Sequence, residues 1–273
     1  MDMNHWTLVF FGLFALLVAA EIRFPHRPYD RMSLKNSYAS NVFSYLMNNV
    51  ALGLLSASSL FWLAERYSGS GLLAGLPDGA GKWLLSFLLL DLLAYVWHWA
   101  GHHSLFLWMF HKVHHSDRTV NTSTAFRFHM GELLLTLAVK ALFIRVMGLS
   151  AGAVAAMEAI VTLFVVFHHA NIAVPGEAWL ARAIIVPSLH RAHHSANRRE
   201  HDANYGAVFS FWDRAFATHI ECEPREIGLR GVPELTPVEM FRLGLTPDRS
   251  QPAGAAVGLG RGALGVLVPK RDW

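Results

Sequence analysis

Three short stretches decide the fold of this chain: DLLAYVWHWAGHH at 91–103, HKVHH at 111–115 and HRAHH at 190–194. Each has histidines three or four residues apart and lies beside a strongly apolar run. Residues at that spacing share one face of a helix, so each stretch directs two or three imidazoles at one place. The stretches supply eight candidate ligands, His98, His102, His111, His114, His115, His190, His193 and His194. Imidazole binds iron, zinc and copper, and eight exceed what one ion can use, so we predict a two-metal site.

The composition indicates a membrane protein. The chain has 273 residues, of which 53% are hydrophobic and only 16% charged. A soluble domain normally has about 25% charged residues. The net charge of +3 is small and locally placed, and we expect no nucleic-acid partner. The single cysteine, Cys222, excludes an internal disulfide framework.

Apolar runs predict the membrane segments. They fall at about 6–20, 41–63, 83–97, 133–150 and 151–167. We expect the first to be an uncleaved membrane segment, because no Lys or Arg precedes it as in a secretory signal. Several runs are shorter than the ~20 residues of an ideal span, so tilted or re-entrant insertion is an alternative to a full crossing. The expected fold is an all-α integral membrane protein with four to five transmembrane or re-entrant helices.

Basic residues predict the orientation. The loop after the first segment contains Arg23, Arg27, Arg31 and Lys35, whereas the loop after the second contains Arg66 and Lys82. By the positive-inside rule, the first of these loops is cytoplasmic. With five segments, the histidine regions 98–129 and 168–201 then lie on the cytoplasmic side as well.

The chain divides into three predicted parts. Residues 1–80 are expected to form N-terminal membrane helices and loops, and residues 81–222 contain nearly all the histidines. Residues 223–273 form a C-terminal tail, in which Gln251–Trp273 is rich in Gly and Ala.

Asp91 is a further candidate, because an aspartate in an apolar span is costly unless it is paired. It shares a helical face with Tyr95, His98 and His102. We expect its carboxylate to accept the free N–H of a metal-bound imidazole. A hydrogen bond that only packs helices is the alternative. The pattern fits neither a cysteine-rich structural zinc site nor the Glu-x-x-His motifs of soluble di-iron bundles.

Taken together, the motifs resemble the fatty acid hydroxylase / sterol desaturase superfamily of membrane di-iron oxygenases. The first stretch is similar to its first histidine motif, and LWMFHKVHHSD is similar to its second. FRFHMGE resembles a following segment, with Met130 and Gly131 in place of the usual Pro-Leu. FHHAN matches a short element at a helix end, and PSLHRAHHSANRREHDANYGAVFSFWDRAFAT resembles the closing block.

The resemblance implies four transmembrane-type helices under a cytosolic helical cap that holds two iron ions, and zinc is equally compatible with imidazole. It implies hydroxylation of a lipid C–H bond with O2 and external electrons, in this case at a bacterial inner membrane. The eight histidines match the ligands of the superfamily, and His169 is an expected ninth. His129 is expected to be a ligand or a hydrogen bonder, and Asn171 to contact a metal through water.

Alternatives remain within and outside that class. Within it are lipid or sterol desaturation and ether-lipid monooxygenation. A non-enzymatic metal transporter is disfavoured, because its ligands should lie at mid-membrane on broken helices. No haem or iron–sulfur motif is present, so a cytochrome b5- or ferredoxin-like protein is the expected donor. Its expected docking patch, alternatively a site for anionic lipid headgroups, comprises Lys112, Arg118, Arg191, Arg198, Arg199 and Arg214.

The remaining histidines in these motifs receive no ligand role. We expect His103 and His201 to be surface or supporting residues, His168 to point away from the metals, and His219 to be structural. The segments 204–206 (NYG) and 212–214 (WDR) are expected to form turns and packing contacts.

Overall fold

The computed structural model describes residues 3–54 and 60–247, and this part of the chain contains helices and isolated bridges but no sheet. The helices are α1 (Met3–Arg23), α2 (Arg31–Leu54), α3 (Leu60–Tyr67), α4 (Ala80–His103), α5 (Leu105–His115), a 3₁₀ helix (Thr122–Phe126), α6 (Met130–Met147), α7 (Ala151–His169), α8 (Glu177–Leu180), α9 (Pro187–His193), α10 (Arg198–His201), α11 (Phe211–Ala215) and α12 (Pro237–Gly244). The expectation of an all-helical protein is confirmed for these residues. The tail from Gln251 to Trp273 lies outside them.

Within residues 3–54 and 60–247, two helices, α4 and α7, are long and apolar enough to cross a membrane. The turn between α6 and α7 shows how local sequence separates two long helices. Gly148 ends α6 with φ of 72°, and a Cβ there would lie 2.3 Å from the Ser70 carbonyl oxygen. Ser150 then begins α7, its side chain accepting the Ala153 N–H. Only glycine fits position 148, because its backbone is left-handed and a side chain there would clash with Ser70.

The predicted second segment, 41–63, differs from the structure. Helix α2 begins ten residues earlier, at Arg31, and α3 is a separate short helix. The start was missed because residues 31–40 include Arg31 and Lys35 and bury the polar side chains of Ser37 and Ser40, which lower the hydropathy of this part of α2. These side chains face protein rather than lipid, where hydrogen bonding makes their burial tolerable.

The apolar core lies between α3, α4, α6 and α7, at the end of these helices away from the histidines. Its buried members are Ala64, Leu73, Phe87, Leu90, Phe143, Ile144, Leu149, Val154, Met157 and Val208. Large aliphatic and aromatic side chains here hold the four helices together by burial of apolar surface.

The opposite end of the bundle gathers the histidines. Helices α4 and α7 end there, at His103 and His169, and α6 begins there, after His129. Two hydrogen bonds bring α1 and α2 to the same end. The Glu21 carboxylate in α1 accepts the Asn171 N–H at 2.9 Å, and Asn48 in α2 donates to a carbonyl just before His129, that of residue 128, at 2.9 Å.

A buried polar network fixes α2 to the segment after α5. Asp117 accepts hydrogen bonds from Ser37, Asn41 and Thr124, the shortest for each being 2.8, 2.9 and 2.7 Å. Although burial alone would raise the pKa of Asp117, the Arg127 guanidinium and these hydrogen bonds hold it below its usual range. The network therefore keeps an ionised carboxylate fully paired inside the protein.

Candidate metal centre

Short helices aim the predicted ligands at one volume. Helix α4 contributes His98 and His102, one turn apart, and α5 begins where the Ser104 side chain accepts the Leu107 N–H. Pro187 at the first turn of α9 starts that helix without an unsatisfied N–H. The remaining ligands come from α5 (His111, His114, His115), the last residue of α7 (His169), α9 (His190, His193) and the residue after α9 (His194).

Nine of the ten histidines predicted as ligands form two groups. Within each group, one ring nitrogen per residue lies within 4.8 Å of those of all the others. The first group is His98, His102, His111, His115 and His193, and the second group is His114, His169, His190 and His194. The stretches 111–115 and 190–194 each contribute to both groups. Adjacent histidines, such as His114 and His115, point in different directions and therefore belong to different groups.

The metal-facing nitrogens converge. In the second group, the Nε2 atoms of His169 and His190 are 2.9 Å apart, and His114 and His194 each place Nε2 at 3.2 Å from one of them. In the first group, all five Nε2 atoms are buried without a hydrogen-bond partner among the described residues. Buried polar atoms are normally paired, and converging unpaired imidazole nitrogens fit a metal ion.

Backbone carbonyls fix the tautomer of several rings. The Nδ1 atoms of His98 and His193 donate to the Tyr205 and Ala203 carbonyls at 2.9 and 2.7 Å. The His169 Nδ1 donates to the carbonyl one turn earlier in α7 at 2.7 Å. A carbonyl oxygen only accepts, so Nδ1 carries the proton and the Nε2 lone pair is free for a metal.

Two carboxylates hold rings of the first group. Glu132 lies 2.7 Å from the His111 Nδ1, and Asp202 lies 3.3 Å from the His102 Nδ1. A carboxylate behind a metal-binding histidine orients the ring and raises its basicity. Sequence reasoning missed both residues. Glu132 stands at the start of an apolar run and was open to the reasoning applied to Asp91, whereas Asp202 has no comparable signal in its polar surroundings.

Five of the histidines in the two groups are held neutral. Burial, reinforced by neighbouring imidazoles, holds the pKa values of His114, His115, His190, His193 and His194 well below the ordinary histidine range. Neutral imidazole is the form that binds metal, because a protonated ring has no free lone pair. The two groups therefore fit two divalent ions, with five and four nitrogen ligands.

Asp91 does not contact an imidazole, contrary to our expectation. It is fully buried, and its carboxylate accepts the backbone N–H groups of Val208 and Phe209 at 3.0 and 3.2 Å and the Trp212 indole N–H at 2.9 Å. It therefore fixes the loop that follows Tyr205, and it acts on the rings only through that loop. Asp91 does lie on the buried side of α4, but the groups that it contacts there are mainly backbone N–H groups and not imidazoles.

The same loop is fixed from its other side. The Asp213 carboxylate accepts the N–H groups of Tyr205 and Gly206 at 2.7 and 3.0 Å. A Cβ at Gly206 would lie 2.5 Å from the Phe209 carbonyl oxygen, so the turn needs glycine. The side chain of Asn204, which has φ of 55°, donates to the carbonyls of residues 189 and 220. The turn and packing roles expected of these segments agree with this geometry.

Asn171 and His129 lie outside both groups. The Asn171 side chain exchanges hydrogen bonds with the Arg27 backbone, at 3.0 and 2.8 Å, and so ties the α1–α2 loop to the end of α7. The His129 side chain caps α6 by accepting the Gly131 N–H at 3.0 Å and stacks between Phe110 and Phe241. The structure thus gives Asn171 a backbone contact instead of the expected metal-directed one, and it gives His129 a hydrogen bond, one of the two roles expected of it.

Four other histidines of the motifs lie outside the two groups. His168 is buried with its ring 4.0 Å from that of His190, yet it belongs to neither group. His201 lies behind His102, packs on Trp108 and donates to a backbone carbonyl at 3.2 Å. His103 is exposed and stacks on the preceding turn of α4. His219 contacts Glu221 at 3.1 Å.

The expected basic docking patch is smaller than the sequence indicated. Lys112 is buried and donates to the Thr246 carbonyl, and Arg191 is buried against Glu223 at 3.2 Å. Long basic side chains bury readily when carbonyls or carboxylates pair them. The exposed members are Arg118, Arg199 and Arg214, with Arg198 partly exposed and paired with Asp202.

An apolar cavity of about 200 Å³ opens beside the two groups. His98, His111, His114, His169 and His190 form one part of its lining. Leu, Val, Phe and Trp side chains of α4, α5, α6 and α7 form most of the rest. A hydrocarbon chain is the kind of ligand that such a lining binds, because polar groups there would lose hydration without replacement.

The described residues form a helical protein in which two groups of histidines that could hold metal ions lie beside an apolar cavity. Residues 83–218 match the family model described as fatty acid hydroxylase. The chain accordingly belongs to the fatty acid hydroxylase superfamily, as the motifs indicated.

Curated relatives include lipid oxygenases. Alkylglycerol monooxygenases of Caenorhabditis elegans and Danio rerio are 30% and 31% identical over 144 and 141 residues, 52% of this chain in each case. An ornithine lipid hydroxylase of Rhizobium tropici is 27% identical over 195 residues, 69% of this chain. The matches span 27%, 31% and 54% of those relatives, respectively, so the chain covers about a quarter to a half of their length. No solved structure matches the chain significantly.

Proposed function

We propose that this protein hydroxylates a C–H bond of a membrane lipid at a two-iron centre, using O2 and electrons from a separate protein. The observation that carries the proposal is the opening of two groups of neutral, buried imidazoles onto an apolar cavity. The relatives named for alkylglycerol and ornithine lipid oxidation support a lipid substrate.

The chain's residues divide the work. The first group would hold one iron and the second group the other, and when bound the pair supplies the reduction of O2 that oxidation of an unactivated C–H bond requires. The cavity holds the hydrocarbon chain of the substrate against the imidazoles and excludes water. Glu132 and Asp202 keep the His111 and His102 rings in place. Desaturation and ether-lipid monooxygenation use the same elements and are the alternative outcomes.

We further propose that five helices, α1, α2, α4, α6 and α7, cross or enter a bacterial inner membrane and that the histidines face the cytoplasm under the short helices. Support comes from the loop between α1 and α2, which contains Arg27 and is hydrogen bonded to Asn171 at the histidine end. The basic loop and the metal ligands are therefore on one side. A cytochrome b5- or ferredoxin-like donor would dock near Arg118, Arg199 and Arg214.

Lipid analysis tests the reaction. Cells expressing the wild-type protein should accumulate a lipid that has gained one oxygen atom, or lost two hydrogens if the outcome is desaturation. His114→Ala should abolish that product, whereas His103→Ala, a matched change outside both groups, should preserve it. If no lipid differs between wild-type and His114→Ala cells, lipid oxidation is wrong.

Cysteine labelling tests the orientation. In a Cys222→Ser background, a cysteine at Arg199 should react with an impermeant thiol reagent only after the membrane is opened. A cysteine at Ser70, exposed at the other end of the bundle, should react in intact cells. The reverse pattern would place the histidines outside the cytoplasm.

A further inference from the structure

We propose that Lys140 and Glu158 form the floor of the substrate cavity and thereby select the length of the hydrocarbon chain; this inference rests on the proposed function. Lys140 lies in α6 and Glu158 in α7, and the Nζ and Oε2 atoms are 2.7 Å apart. Both side chains line the cavity. Neither belongs to the metal centre.

The pair marks the end of the cavity remote from the imidazoles. Glu158 precedes His169 by 11 residues in α7. Lys140 follows His129 by 11 residues in α6, which runs antiparallel to α7. At 1.5 Å per residue, the pair lies roughly 16 Å from the histidine end. That is about half of the ~30 Å hydrocarbon thickness, so the pair lies near the middle of the bilayer.

An ion pair at that depth is costly, and such residues usually have a function. The walls between the pair and the imidazoles are mostly apolar and include Leu93, Val139, Val161 and Val165, with Thr136 as a polar member. Beyond the pair the same helices close into the packed core, where Met157 and its neighbours are buried. The cavity is thus an apolar slot closed by one polar contact.

This arrangement limits chain length physically. Each methylene that enters the apolar slot gains favourable burial. A methylene that reaches the floor must instead separate two opposite charges or displace core side chains, in a medium that cannot hydrate the freed charges. Substrates whose chain fills the slot up to the pair are therefore favoured over longer ones.

The test compares product chain lengths. Cells are supplied in turn with saturated fatty acids from laurate to arachidate, and the oxidised lipids are resolved by chain length. The variant Lys140→Ala/Glu158→Ala removes both charges together and so leaves no unpaired ion. The ratio of products two carbons longer than the wild-type optimum to products at that optimum should rise about fifteenfold, the factor that burial of two further methylenes supplies.

Two further variants sharpen the result. Val161→Phe, which narrows the slot one turn above the floor, should shift products toward shorter chains. Lys82→Ala/Asp78→Ala removes an exposed ion pair at the start of α4 and should leave the distribution unchanged. The lipids that copurify with each protein give a second readout that does not require turnover.

The outcomes separate the two proposals. If wild-type cells contain no oxidised lipid, the proposed function fails. If wild-type cells oxidise lipid and both slot variants keep the wild-type distribution of products and bound lipids, the pair only joins two helices and the length selection is overturned.

Discussion

Replacing Asp91 by Asn tests which of two roles this residue has: orienting a metal-binding imidazole, or anchoring the loop that follows Tyr205. The carboxylate accepts three hydrogen bonds, with Oδ1 bonded to the Val208 N–H and Oδ2 bonded to Phe209 N–H and the Trp212 indole. An Asn side chain can place its amide oxygen in the Oδ2 position and keep the bonds to Phe209 and Trp212. Its NH2 group then faces the Val208 N–H, so that bond is lost.

The magnitude follows from those bonds. A hydrogen bond to a charged group contributes about 1.5–3 kcal/mol, and removal of the buried charge offsets part of the loss. With one bond lost and the other two no longer made to a charge, we expect Asp91→Asn to destabilise the folded protein by about 2 kcal/mol. Trp212→Phe removes a single donor and leaves the carboxylate with two, so it should cost about 1 kcal/mol.

Thermal unfolding in detergent, with hydrogen exchange at residues 208 and 209, measures the effect. Exchange should speed up first in this loop, because its anchor is lost. Metal content should fall afterwards, because His98 and His193 depend on carbonyls of the same loop. Loss of metal without a change in stability or loop exchange would refute this role and return Asp91 to an imidazole partner.

Three other outcomes are expected. His193→Ala and His114→Ala should each remove one of two metal ions per chain, measured by elemental analysis; loss of neither ion would contradict the two groups. Glu132→Gln should weaken metal binding by roughly 10–100-fold, the usual effect of removing a carboxylate behind a ligand, while unchanged affinity would show that the His111 ring is held without it. His129→Ala should retain both ions and lower the unfolding temperature through loss of the α6 cap; loss of an ion would make it a ligand.

Helical spacing determines which histidines share a face, and nine of the ten histidines predicted as ligands lie in the two groups. The separation of His114 from His115 into different groups also follows from one residue of rotation. Spacing cannot show which group from another part of the chain each buried polar side chain contacts. Asp91 was expected near the metals because it is polar in an apolar span, and Asn171 because its motif resembles a family element, yet both bind backbone.

The start of α2 was hidden for a related reason. Hydropathy treats a polar residue as facing water, whereas Ser37 and Asn41 face Asp117 inside the protein. Pairing between residues about eighty positions apart leaves no trace in local periodicity. The basic patch is smaller than predicted for a similar reason, because the carbonyl that binds Lys112 belongs to a distant segment.

The stability of the metal centre therefore depends on parts of the chain that carry no ligand. The rings of His98 and His193 are oriented by carbonyls of one loop, and that loop is held by carboxylates in α4 and α11. A change in Asp91 or Asp213 consequently loosens two ligands at once without touching either. Because both ligands belong to the first group, the ion there should be lost before the ion of the second group as these anchors are weakened.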